Sequence, residues 1–160
     1  MNILRTSTAT VAAVLALGSL AACGSSSDDR SPAPTGAALP TVSKAVFAQR
    51  GNVVCRTSGQ AIGSKFQAMS KPPKPAELTA AYDNMLKESY KVVGELLDIG
   101  APKGQERELL DLIVQQYQVT ADVEKQGQEK FFADQDSDPW ADTVAKLVSD
   151  FGLTDCGHDG

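Results

Sequence analysis

Apolar residues along this chain fall into one unbroken run near the start and, further on, into stretches where they return every three or four positions. The run is Ala9 to Leu20, uncharged and mostly small. The clearest periodic stretch carries Leu78, Tyr82, Met85, Leu86, Val93, Leu96 and Leu97, a spacing that predicts an amphipathic helix. Pro75 opens it at a first-turn position, and Gly100 with Pro102 closes it. A third stretch places Leu109, Ile113, Tyr117, Thr120 and Val123 on one face, behind the polar first turn Gln105-Glu106-Arg107-Glu108. Gly127 leaves its far end open. The fourth runs through Trp140, Val144, Leu147, Val148 and Phe151 and stops at Gly152, with Asp138 as its cap and Pro139 in the first helical position. No stretch sustains a two-residue alternation, so no sheet is expected.

The first stretch, Thr41 to Met69, reads two ways. Gly51, Gly59 and Gly63 each cost a helix about 1 kcal/mol relative to Ala, which suggests a broken or kinked element. Together with Cys55 they also recur every four residues, so an unbroken helix would line them up as a narrow stripe that a neighbour could approach closely. Four helices with short connections make the expected fold all-α, an antiparallel four-helix bundle over residues 41–160. Lys71-Pro72-Pro73-Lys74-Pro75 is its first connector, stiff and extended.

The early apolar run has a different meaning. Arg5 gives a weakly basic start, the run is too short to span a bilayer, and it ends in Leu20-Ala21-Ala22-Cys23. That ending resembles the lipobox of bacterial lipoproteins, which implies a signal peptide over residues 1–22 and a diacylglycerol on the Cys23 thiol. Residues 23–40 follow as lipidated Cys and tether, rich in Ser, Asp, Pro, Gly and Ala with almost nothing to bury. The 17 residues after Cys23 would span roughly 20 Å on average. The address is then the outer face of the cell membrane. The precursor carries a net charge of −5, and losing Arg5 makes the mature chain one unit more negative. Such a chain is a poor partner for nucleic acid or anionic headgroups, so membrane contact is expected through the acyl chains alone.

With Cys23 taken by lipid, Cys55 and Cys156 remain as an even pair in an oxidising compartment, where a disulfide is expected. The alternatives are two free thiols or half a metal site, with His158 the one further ligand nearby. Cys55 falls mid-helix, so a bridge requires residues 152–156 to fold back. Phe47-Ala48-Gln49-Arg50-Gly51-Asn52-Val53-Val54-Cys55 resembles the "F…QAN-x-x-C" opening of small secreted actinobacterial proteins. Phe151-Gly152-Leu153-Thr154-Asp155-Cys156-Gly157 resembles their "aromatic-Gly-Leu-x-x-Cys-Gly" ending. Gly51 departs from the usual Ala. The resemblance implies a helical bundle closed by one disulfide, and it carries no assigned activity.

Candidate chemistry is sparse. Asp134, Asp136, Asp138 and Asp142 have the start of a calcium-loop spacing, but Pro139 and Ala145 stand where an EF-hand needs Gly and a bidentate Glu. Glu124 and Glu129, five apart, do not share a helical face closely and read as solvated. No phosphate loop, zinc motif or nucleophile triad is present. Neither an enzyme nor a cofactor is expected, an uncharacterised hydrolase being the third choice. The first expectation is a non-catalytic module that binds an envelope protein or component, with Phe131-Phe132 as an exposed contact patch. The second is a carrier holding a small apolar ligand between its helices, where Tyr82, Tyr90, Tyr117, Phe131, Phe132 and Trp140 could line a cavity.

Overall fold

The computed structural model describes residues 39–134 and 137–157. The signal peptide, Cys23, nearly all of the tether, Asp136 and His158 lie outside the described residues. In order come β1 (Thr41–Val42), α1 (Lys44–Gln67), α2 (Pro75–Ile99), β2 (Ala101–Pro102), α3 (Glu106–Gln126), α4 (Gln128–Ala133), α5 (Ala141–Phe151) and a 3-10 turn at Thr154–Cys156. The chain is mostly helical and carries a Cys55–Cys156 disulfide.

Helix α1 begins where the Ser43 hydroxyl oxygen accepts a hydrogen bond from the Val46 amide at 3.3 Å. It then runs unbroken through all three glycines. The close approach foreseen for the stripe occurs at Gly51 alone. A Cβ built there would lie 2.6 Å from Leu153 Cδ2 and 3.3 Å from Leu96 Cδ2, while nothing lies within 4 Å of one built at Gly59 or Gly63. The same substitution is therefore expected to have opposite signs along one helix. Gly63→Ala should stabilise by about 0.5–1 kcal/mol through the entropy of the unfolded chain. Gly51→Ala should destabilise by about 1–3 kcal/mol, because Leu153 is fully buried and has little room to yield. Urea unfolding of the two variants checks the pair.

Three expectations need correction. A sheet exists: β1 and β2 pair in parallel, Thr41 opposite Ala101 and Val42 opposite Pro102. Its hydrogen bonds run from the Ala101 amide to the Pro40 carbonyl (2.7 Å) and from the Lys103 amide to the Val42 carbonyl (3.0 Å). Gly100, at φ 90°, turns the chain off α2 into this pairing. Two residues are too few to show alternation, and Pro102 can take part because the pairing uses the amides of Ala101 and Lys103 on either side of it and asks for no N–H from the proline.

The last long helix starts later than expected, at Ala141 with Trp140 as its cap residue. Asp138 and Pro139 form the turn before it, and the Asp138 carboxylate accepts from the Trp140 amide at 2.9 Å. The stretch after Gly127 is the short helix α4, and Phe131 and Phe132 lie in it, half-buried.

Side chains bury in two adjoining clusters. The larger gathers Phe47, Val93, Leu96, Leu109, Ile113, Leu147, Phe151 and Leu153. The second centres on Tyr82, Met85, Leu86 and Val123, with Phe66, Phe131, Phe132 and Trp140 packed against it. Helix α1 packs on α2, α2 on α3, α3 on α5 and α5 back on α1. From the first turn of α2, Glu77 braces the first connector by accepting from the Lys74 amide (2.9 Å) and the Ser70 hydroxyl (2.6 Å). Those bonds, the Lys74 amide foremost, hold its carboxyl below the usual range. The bracing therefore stabilises the fold above that range and fades as pH falls through the lowered value.

Candidate functional site

The site is framed by the way the end of the chain returns to α1. Gly152 terminates α5 in the left-handed region at φ 74°, where glycine carries no Cβ penalty. The amides of Gly152 and Leu153 donate back to the carbonyls of Val148 (3.1 Å) and Leu147 (3.0 Å). Leu153 then plugs the gap beside Gly51. Asn52 grips the returning strand from both sides: its amide donates to the Gly152 carbonyl at 3.2 Å, and its oxygen accepts from the Asp155 amide at 2.9 Å. One turn on, Arg56 pairs with Asp155 at 3.0 Å. Between these contacts Cys55 and Cys156 are joined, with Cα atoms 4.8 Å apart. Phe47 and Phe151 meet edge to face at 5.8 Å. Most residues named in the two end motifs thus converge on one clasp.

Next to the clasp lies a cleft of about 280 Å³ between α1, α2, α3 and α5. The Cys55–Cys156 bridge forms one wall. Helix α1 contributes Ser58, Gly59 and Ile62, and α2 contributes Met85, Ser89 and Val92. In both helices those positions fall on one face at spacings of three and four. Gln116 comes from α3; Val144 and Leu147 come from α5, with Asp138 and Trp140 from the turn before it.

The polar groups of this lining are held in set roles. The Ser58 hydroxyl donates to the Glu88 carboxylate at 3.2 Å, and the Ser89 hydroxyl to the Met85 carbonyl at 2.8 Å. Carboxylates and carbonyls only accept, so both serine protons are committed and the oxygens keep lone pairs for a guest. Gln116 is held through Thr143, whose hydroxyl contacts its side-chain oxygen. The Trp140 indole N–H donates to the Thr120 hydroxyl at 3.1 Å, which in turn donates to the Gln116 carbonyl at 3.0 Å. With its N–H taken, Trp140 offers the cleft ring surface.

A second depression of about 450 Å³ is shallower and borders α4, lined by Phe66, Met69, Leu78, Phe131, Phe132, Asp134 and Ser137. The polar side chains of its lining among the described residues, Asp134 and Ser137, are exposed. Phe131 and Phe132, expected as an exposed patch, border this depression half-buried. Phe131 packs on Tyr82 (5.6 Å) and Trp140 (6.1 Å), and Phe132 on Phe66 (6.3 Å), which leaves part of each ring facing the depression. Tyr82 is buried, as its stripe foretold, and its hydroxyl donates to the Val123 carbonyl at 2.6 Å. Burial pushes that phenol up and keeps it neutral. Tyr90 donates to Glu124 at 2.9 Å.

Sequence reasoning missed Ser58, Ser89, Gln116 and the clasp residues Asn52 and Arg56. The available signal was a polar residue recurring three or four positions from Cys55 on an otherwise apolar face. Among the described residues no group of three or more His, Cys, Asp or Glu is placed to hold a metal ion, and no helix is long and apolar enough to cross a membrane. Comparison of the chain with protein-family models, with curated proteins and with solved structures finds no match.

Proposed function

We propose that this chain is a lipid-anchored module on the outer face of the cell membrane, without catalytic activity, that binds a small, largely apolar molecule in the cleft between its helices. The observation that carries the reading is the cleft itself. At about 280 Å³ it lies just under the usual range for small-molecule sites, which suits a small guest, and apolar walls surround a few fixed hydrogen-bonding groups, the usual make-up of such sites. The ring of contacts from α1 through α2, α3 and α5 supports an antiparallel four-helix bundle, with α4 as a spur. Bundles commonly hold their ligands between facing helices. The disulfide fits an oxidising location, in keeping with Cys23 as the lipid attachment point.

A protein partner is the second reading, and the observation favouring it is the open depression edged by Phe66, Phe131 and Phe132. The experiment separates the two. Protein isolated from native membranes is denatured, and the released small molecules are identified by mass spectrometry. Gly59→Leu fills the cleft from a position with no atom within 4 Å of a new Cβ, so the helix should accept it. A compound released by the parent chain and missing from Gly59→Leu is the expected result. Identical profiles from the two chains would remove the small-molecule reading.

A further inference from the structure

Resting on that reading of the cleft, we infer that its ligand is a small apolar amine bound as the cation. The chemistry of the lining is one-sided. Ser58 and Ser89 can only accept from a guest, because their protons go to Glu88 and to the Met85 carbonyl. Among the described residues Asp138 is the ionisable side chain of the lining, and neither Lys, Arg nor His is found there beside it. One Asp138 oxygen caps the Trp140 amide at 2.9 Å, which fixes the carboxylate at the rim. Beside it stands the Trp140 ring, whose indole N–H is already directed to Thr120. An aromatic face attracts an ammonium group, most strongly when the site is partly desolvated. Gln116, whose side-chain oxygen is engaged by Thr143, adds a neutral NH₂ donor that carries no charge to balance an anion.

Each alternative head group meets this lining less well. A carboxylate or phosphate would face Asp138 and two lone-pair-bearing hydroxyls, with no cation to balance it among the described residues of the lining. A plain hydrocarbon would fill the space beside Ile62, Met85, Val92, Val144 and Leu147 but leave the Ser58 and Ser89 oxygens without a donor. An alcohol brings one donor and no charge. An ammonium brings three donors and a positive charge to a chain whose net charge is −5. The apolar body then packs against the aliphatic wall and the disulfide.

Four ligands built on one cyclohexane ring with a short arm test this: cyclohexylmethylamine, cyclohexylmethanol, ethylcyclohexane and cyclohexanecarboxylate. Each is titrated into the purified full-length chain with its disulfide oxidised. Trp140 is the single tryptophan and lines the cleft, so its emission reports occupancy directly. The amine should bind about tenfold more tightly than the hydrocarbon, with the alcohol between them and the carboxylate weakest. Asp138→Asn keeps the acceptor for the Trp140 amide and should shrink the amine's advantage by about threefold, the scale of an exposed ion pair. Equal affinity for amine and hydrocarbon, or an amine preference untouched in Asp138→Asn, overturns the assignment while the cleft stands as a binding site. No response to any of the four removes both the site and the assignment.

Discussion

Cys156→Ser should lower the free energy of unfolding by about 2–5 kcal/mol, the usual range for losing a native disulfide from a small domain. The two cysteines are 101 residues apart, a separation for which the chain-entropy account gives about 4.7 kcal/mol at most. What remains of the clasp would not compensate. The Arg56–Asp155 pair is exposed on its arginine side and contributes no more than about 1 kcal/mol. Asn52 and Leu153 would still hold the returning segment, so helix content should persist at low denaturant. Urea unfolding should show a lower midpoint and, because the unfolded chain can now expand, a steeper slope. A midpoint unchanged from that of the oxidised parent would show that side-chain packing alone holds the end of the chain.

Cys23→Ala should convert a membrane-bound protein into one found free in the soluble fraction. Under the proposed anchoring, attachment depends on acyl chains worth about 0.8 kcal/mol per buried CH₂, where one chain is marginal and two hold firmly. No helix among the described residues is long and apolar enough to cross a bilayer in their place. Net negative charge also disfavours adhesion to anionic lipid. Fatty-acid labelling and detergent-phase partitioning both read the outcome. Labelling that survives in the variant would move the attachment point elsewhere and remove the argument for the location.

Elements whose signals are local could be read in advance. Helix α2 announced itself through Pro75, an apolar stripe and Gly100, and its limits agree with the structure. Helix α1 could not be decided, because three glycines argue against it locally while the reason it persists is distant. Leu153 and Leu96 pack on Gly51, and Cys156 ties down Cys55, which lies 101 residues away in sequence. The β1–β2 pair offered no pattern at two residues per strand. The half-burial of Phe131 and Phe132 depends on Phe66, Tyr82 and Trp140, which come from three other parts of the chain. The cleft was hidden for the same reason. Ser58, Ser89 and Gln116 are single polar residues on separate helices, and each alone looks like a tolerated exception on a core face.

The covalent ring closed by Cys55 and Cys156 also decides how the molecule bears load. Tension drawn between the two ends of the chain would pass straight across the sulfur bridge, leaving residues 56–155 slack inside the ring. Only the segment ahead of Cys55 could pay out, beginning with the β1 strand and the first turns of α1. Among the described residues, helices α2 to α5 and most of the cleft walls would remain shielded from a pull that strips the front of the domain.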